Sequence, residues 1–220
     1  MIPLSLYIHL PWCIRKCPYC DFNSHALRDN LPEDNYIDAL IADLEYDLEL
    51  IGNRQLVSIF FGGGTPSLFS ASALARLLEA IAERISFVTP EIEITLEANP
   101  GTVEQQRFYD YRQAGINRLS LGIQSFSDLH LKKLGRIHGS NEAKKAIKVA
   151  KQVGFDNFNL DLMFALPEQS IDMAMIDLNT AIAFQAQHIS WYQLTLEPNT
   201  LFYQHPPKLP DDEVIWQMQQ

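Results

Sequence analysis

The sequence predicts an α/β fold, a partial barrel built from six strand–helix units, and three observations carry that prediction. Strand-like and helix-like segments alternate from end to end. Repeated β–α units imply right-handed crossovers and therefore a parallel sheet. The strands alternate apolar with polar residues, whereas parallel strands covered on both faces read as unbroken apolar runs. With 220 residues, 47% apolar and 20% charged, the chain has ordinary globular composition and room for a sizeable core.

The first strand is read at Leu4–Leu10, with Leu6, Ile8 and Leu10 opposite Ser5, Tyr7 and His9. Ile37, Leu40, Ile41, Leu44, Leu48 and Ile51 then form one apolar helical stripe. The second strand, Leu56–Phe61, runs into Gly62–Gly63–Gly64. A helix capped around Ser70 or Ser72 follows, carrying Leu74, Leu77, Leu78, Ile81 and Ile85 at the same spacing. The third strand, Glu91–Ala98, opposes Ile92, Ile94 and Leu96 to Glu93, Thr95 and Glu97, before a helix near 103–114. The fourth, Arg118–Gln124, opposes Leu119, Leu121 and Ile123 to Arg118, Ser120 and Gln124, before a helix near 141–153. The fifth, Asn157–Phe164, opposes Phe158, Leu160 and Leu162 to Asn157, Asn159 and Asp161, before a helix near 171–186. The sixth is Ile189–Leu196. Residues 1–197 are read as one domain, and 198–220 as the start of a further C-terminal region ending in a nascent helix over 211–220.

Helices cover the apolar face, so the polar face lines either open solvent or a barrel interior. The barrel explains it better. In such barrels the chemistry gathers at the C-terminal strand ends. Those ends offer Tyr7 and His9, the glycine run, Glu97, Gln124 and Asp161, so a charged, hydrogen-bonding ligand is expected inside.

Lys plus Arg number 17 against 27 acids, a formal charge of −10. An acidic surface repels phosphate backbones, which excludes a general nucleic-acid role. No apolar run approaches the roughly 18 residues of a membrane span, and no signal-peptide pattern opens the chain. The cytoplasm is the expected compartment. Lys144, Lys145, Lys148 and Lys151 read as a solvated helix face.

The three cysteines, Cys13, Cys17 and Cys20, fall within eight residues as C-x3-C-x2-C. An odd count without an export signal argues against a disulfide framework. Three thiolates on one loop suit a soft metal centre. Zinc needs a fourth ligand, for which His9 or His25 is at hand. An iron–sulfur cubane accepts three thiolates and leaves one iron open. Unliganded thiols are the third reading. Trp12, Tyr19 and Phe22 around the thiols would shield such a centre from water. The segment FFGGGTPS lacks the Lys-Ser/Thr tail of a phosphate-binding loop and the G-x-G-x-x-G spacing. It reads as a turn whose backbone can approach a ligand closely. His9 is expected to be satisfied by a neighbour, and Arg136 to lie between the fourth strand and its helix.

C-x3-C-x2-C directly after a first strand resembles the radical S-adenosylmethionine (SAM) superfamily. More specifically, LYIHLPWCIRKCPYCDF, FFGGGTPS, LEANP, LSLGIQSF, LGRIHG and NLDLMFALPEQ resemble the oxygen-independent coproporphyrinogen III oxidase family, in order and through the whole chain. The decarboxylating oxidase of that family carries a fourth cysteine two residues after the third. Here Cys20–Asp21–Phe22 resembles instead the oxidase-like branch of HemW-type heme chaperones. The resemblance implies a partial TIM-type barrel of the radical SAM core, with a C-terminal region beyond it. It implies that Cys13, Cys17 and Cys20 ligate a [4Fe–4S] cluster whose open iron takes the amino and carboxylate groups of SAM. It implies that Tyr7, Tyr19, Gly63, Gly64, Thr65, Glu97, Gln124, Arg136 and Asp161 contact SAM. Carboxylates and an amide suit ribose hydroxyls or an amino group, and a guanidinium suits the methionine carboxylate. Heme is the implied cargo, and heme-acceptor proteins and a one-electron reductant the implied partners, with a homodimer as a further arrangement. Oxidative decarboxylation of coproporphyrinogen III is the alternative activity. No heme ligand is picked out among His9, His25, His130, His138, His188 and His205.

Overall fold

Six parallel strands form one sheet whose spatial order repeats the chain order. A computed structural model describes residues 2–102 and 105–220. The strands are β1 (Leu4–Leu10), β4 (Leu56–Gly63), β5 (Glu93–Ala98), β6 (Arg118–Gln124), β7 (Asn157–Phe164) and β8 (His188–Gln193), hydrogen-bonded in that sequence with β1 and β8 at the two edges. Two residue pairs, β2 (Trp12–Cys13) and β3 (His25–Ala26), make a separate parallel ribbon that pins the cysteine loop at both ends. The helices are α1 (Glu33–Ile51), α2 (Ala71–Arg84), α3 (Gln105–Gln113), α4 (Asp128–Lys133), α5 (Ser140–Gln152), α6 (Ile171–Ala183), α7 (Leu201–Gln204) and α8 (Asp212–Gln219). This is the predicted open barrel.

Alternation places the faces as the sequence predicts. Ile59, Phe61, Leu96, Leu119, Leu121, Leu160 and Leu162 are buried in one continuous core with Leu74, Leu77, Ile81 and Ile147 of the covering helices. The opposite face carries a polar lattice. Ser120 Oγ donates to Asp161 Oδ2 at 2.9 Å, and Asn159 Nδ2 donates to Asp161 Oδ1 at 2.7 Å and Ser190 Oγ at 2.9 Å. At its base Arg118 Nη1 donates to Thr95 Oγ1 at 3.2 Å, with Glu93 3.8 Å from its Nε. Buried polar groups persist only when paired in this way.

Several boundaries differ from the sequence reading, each for a physical reason. β4 continues through Gly62 and Gly63, which pair with His9 and Leu10 of β1. β5 starts at Glu93 rather than Glu91, and β8 stops at Gln193 rather than Leu196. The helix expected near 103–114 is α3; residues 103 and 104 lie outside the described residues. The connection after β6 contains α4, which the sequence reading did not anticipate. The α2 cap is Ser70: its side chain accepts from Ala73 N at 3.1 Å. Residues 198–220 fold back onto the domain. Phe202 and Leu209 pack with Leu134, Met163, Leu166 and Leu194, while α8 lays Met218 against Phe164 and Ala174. Among the described residues, no helix is long and apolar enough to cross a membrane.

Candidate functional site

The C-terminal strand ends and the cysteine loop enclose a cavity of about 510 Å³, within the usual range for sites that hold a small molecule. Cys13, Cys17 and Cys20 form part of its wall, beside Tyr19, Gly63, Gly64, Thr65, Glu97, Gln124, Arg136 and Asp161. Tyr7 is not among its lining residues, although the Glu97 charge acts on its hydroxyl. Its ring lies 6.1 Å from Phe60, nearly parallel, and 57% of the residue remains exposed in the open barrel.

The glycine run is spent on the chain itself. A Cβ at Gly64 would stand 2.6 Å from Trp12 O, and one at Gly63, whose φ is +116°, would stand 2.7 Å from the His9 ring. Only glycine lets β4 press this closely beneath the cysteine loop. Gly64 N–H then donates to Leu10 O at 2.9 Å, and Thr65 N–H to Trp12 O at 2.7 Å. From behind, Arg107 Nη2 donates to Ser67 O at 2.8 Å and Leu68 O at 3.0 Å, and the Tyr111 hydroxyl donates to Ser67 O at 2.8 Å. The turn after the glycines is thereby fixed from α3.

His9 is satisfied within the fold. Its Nε2–H donates to Asn23 O at 2.7 Å, leaving Nδ1 to accept the Tyr7 hydroxyl at 3.1 Å. His25 is exposed. Among the described residues, no three or more His, Cys, Asp or Glu side chains converge as the ligands of a single ion. With both ring nitrogens engaged, His9 is not free to complete a tetrahedral zinc site with the three thiols.

Arg136 reaches the cysteine loop through a turn that needs glycine. Gly135 takes φ +67° at the end of α4, and a Cβ there would meet Pro18 Cδ at 2.9 Å. The buried guanidinium donates Nη2–H to Gly122 O at 2.9 Å and Nη1–H to Cys17 Sγ at 3.6 Å, while its Nε has no partner. An orphaned, buried guanidinium N–H in the cavity wall is the donor an anionic group would satisfy.

Two carboxylates share the same space. Desolvation first, then the charge of Asp161, pushes Glu97 up to about 7, although Gly63 N–H donates to Glu97 Oε2 at 3.2 Å. Desolvation also raises Asp161, opposed by its hydrogen bonds to Ser120, Ser190 and Asn159 and by Arg118. The cavity thus holds paired acids on one side and a guanidinium on the other, a setting for a zwitterionic or cationic ligand. Gln124 sits at a β6 irregularity with φ +66°, its Oε1 accepting the Tyr192 hydroxyl at 2.6 Å.

The sequence reading missed Tyr192, although the signal was present. The alternation that selected the other strands extends to β8, where Ser190 and Tyr192 share the interior face. The aromatic shield needs correction. Trp12 turns into the core, edge-on to Tyr36 at 4.6 Å, whereas Phe22, 58% exposed, lines the cavity beside the cysteines. Tyr19 does lie in the wall, backed by Phe202 at 6.2 Å.

Comparison with known proteins agrees with this architecture. The sequence profile of the radical SAM superfamily matches residues 7–179. The chain is 56% identical over 214 residues to the heme chaperone HemW of Escherichia coli (strain K12), covering 97% of this chain and 56% of that protein. It is 58% identical over 218 residues to the heme chaperone HemW of Haemophilus influenzae, covering 97% and 57% respectively. The chain therefore spans somewhat over half the length of these relatives. A solved structure of coproporphyrinogen III oxidase (HemN) from Escherichia coli, described as a radical SAM enzyme, superposes with a TM-score of 0.88 at 27% identity, over 99% of this chain and 50% of that one. Profile, relatives and superposition all span the barrel described above, and the chain belongs to the radical SAM superfamily.

Proposed function

We propose that this chain is the cofactor-binding core of a heme chaperone. In this reading Cys13, Cys17 and Cys20 ligate a [4Fe–4S] centre, SAM occupies the adjoining cavity, and heme is cargo passed to acceptor proteins. The observation that carries the reading is the common wall. Three thiols, an under-bonded guanidinium and two elevated carboxylates face one volume of about 510 Å³. The identity of 56–58% to proteins named heme chaperones supports the cargo.

Such a centre with SAM supplies one-electron reductive cleavage of a sulfonium, the hard step that belongs to the cofactor. The protein's part is binding and orientation. Arg136 offers its spare N–H groups to the methionine carboxylate. Glu97, Asp161 and Gln124 address ribose hydroxyls and the amino group. Gly63, Gly64 and Thr65 present backbone, and Tyr19 closes the wall. Tyr7 is read as a further SAM contact, and its hydroxyl also orients His9 beneath Gly63. The reading also takes a one-electron reductant as partner and the cytoplasm as compartment, keeps a homodimer among its arrangements, and places the domain's end near 197. His9 and His138 are hydrogen-bonded within the fold and His130 is buried, which leaves His25, His188 and His205 exposed on this chain.

The second reading is decarboxylation of coproporphyrinogen III, supported by the TM-score of 0.88 to the oxidase. Phe22, where the oxidase pattern carries a further cysteine, favours the chaperone. Anaerobic reconstitution with iron and sulfide, followed by heme titration and assay of CO₂ release from coproporphyrinogen III, separates the two. A Soret shift without CO₂ is the expected result. CO₂ release with no Soret change would overturn it. Cys17→Ser should lose the four-iron count.

A further inference from the structure

One cysteine sulfur accepts from a fixed donor, and a second lies beside a buried hydroxyl. Cys17 Sγ faces Arg136 Nη1–H at 3.6 Å. That guanidinium cannot swing away easily, because Nη2 is tied to Gly122 O and the preceding Gly135 is wedged against Pro18. The Ser24 hydroxyl and the Phe22 N–H lie beside Cys20, and both favour its thiolate. Ser24 is 3% exposed, and its Oγ has no hydrogen-bond partner in the free-thiol loop. Its backbone is held on both sides: Ser24 N–H donates to Phe22 O at 2.7 Å, and Lys16 Nζ donates to Ser24 O at 3.2 Å. An otherwise unpartnered hydroxyl, buried beside a thiol, is costly unless it serves that sulfur.

Adding an electron to an iron–sulfur centre increases the negative charge on its thiolates. Donors aimed at those sulfurs stabilise the reduced state more than the oxidised one and raise the potential. The surrounding protein works the other way, since a formal charge of −10 disfavours an extra electron. Local donors at the sulfurs are the available compensation.

We infer that Arg136 and Ser24 set the reduction potential of the centre, each through the sulfur it faces. The inference rests on the reading of Cys13, Cys17 and Cys20 as ligands of a [4Fe–4S] centre. Arg136 and Ser24 are positioning residues in this role, acting through the cysteines. The assignment to Arg136 is additional to its carboxylate-binding role, so the test is made without SAM.

The test is a redox titration of the anaerobically reconstituted chain, followed by the paramagnetic signal of the reduced centre. Ser24→Ala and Arg136→Lys should each move the midpoint negative, the second while keeping the charge and losing the guanidinium fork. At the potential where wild type is half reduced, the reduced-to-oxidised ratio should fall by roughly threefold or more, tenfold being 59 mV for one electron. Ser24→Thr, which restores the hydroxyl, should titrate like wild type. Unchanged midpoints in both variants, at four irons per chain, would overturn the inference while leaving the centre in place. A wild-type chain that holds no four-iron centre would overturn the underlying reading and the inference with it. If Arg136→Lys fails to load iron, the Ser24 pair decides.

Discussion

Glu97 is the side chain whose ionisation most affects this site. Its carboxyl is held near 7 against 4.5 in an open chain, by burial and by Asp161. A raised carboxyl favours the protonated state on folding. Its stabilising share is therefore complete below about pH 4.5 and is lost as pH rises through about 7. Chemical denaturation across pH 4–8 should show that decline, on the order of 1–3 kcal/mol, and Glu97→Gln should flatten it. His138 has the opposite sign. Its imidazole, between Asn99 Oδ1 at 3.1 Å and Ile123 O at 3.2 Å, is depressed to about 4 by burial and then by Arg136. Its share is present above about pH 6.5 and lost as pH falls toward 4, so His138→Gln should remove that acid-side loss. Neither effect was legible in the sequence. Residue types and strand faces were readable there, but the approach of two acids on β5 and β7, across the intervening β6, was not.

Among the elements, α2 begins with a two-way clasp. Ser70 Oγ accepts from Ala73 N and donates to Glu33 Oε2 at 2.7 Å, while Ser70 N–H donates to Glu33 Oε1 at 2.5 Å. The cap ties the starts of α1 and α2 together, so Ser70→Ala should cost about 1 kcal/mol in urea unfolding. The turn at Gly135 carries more. Gly135→Ala meets both a left-handed φ and the Pro18 ring, and should cost roughly 1–2 kcal/mol while lowering iron retention, measured by metal analysis after gel filtration. The long strands could be read from sequence because each repeats a local pattern over many residues, whereas the α2 cap was narrowed only to Ser70 or Ser72. By contrast, α4 has six residues and α7 four, too short to show a period. The extension of β4 through Gly62 and Gly63 depends on its partner β1, which no local pattern encodes. The inward turn of Trp12 likewise depends on Tyr36 and Phe69, brought to it by α1 and the turn after β4.

For the molecule as a whole, the polar interior is the feature the sequence displayed most clearly, since Glu93, Thr95, Ser120, Asn159 and Asp161 alternate with core residues along their strands. What could not be read was the packing of residues 198–220 back onto the barrel, where Phe202 N–H donates to Pro18 O at 3.0 Å. The ordering of strands along the sheet also bears on how the protein is born. Each strand of the main sheet pairs with the next one along the chain, so barrel growth closes one strand–helix unit at a time, from Thr95 with Arg118 to Leu4 with Leu56. The cysteine loop is different. It lies near the start of the chain, yet its Arg136 partner is 119 residues away from Cys17. During synthesis the thiols would emerge before Arg136 and lack that partner until β6 and α4 dock. Pulse-labelled hydrogen exchange during refolding should show the β6–β7 amides protected before those of Cys20, His25 and Leu27. Until that docking, the three thiols would be open to oxidation and to stray metal, making the interval before Arg136 arrives the vulnerable period of maturation.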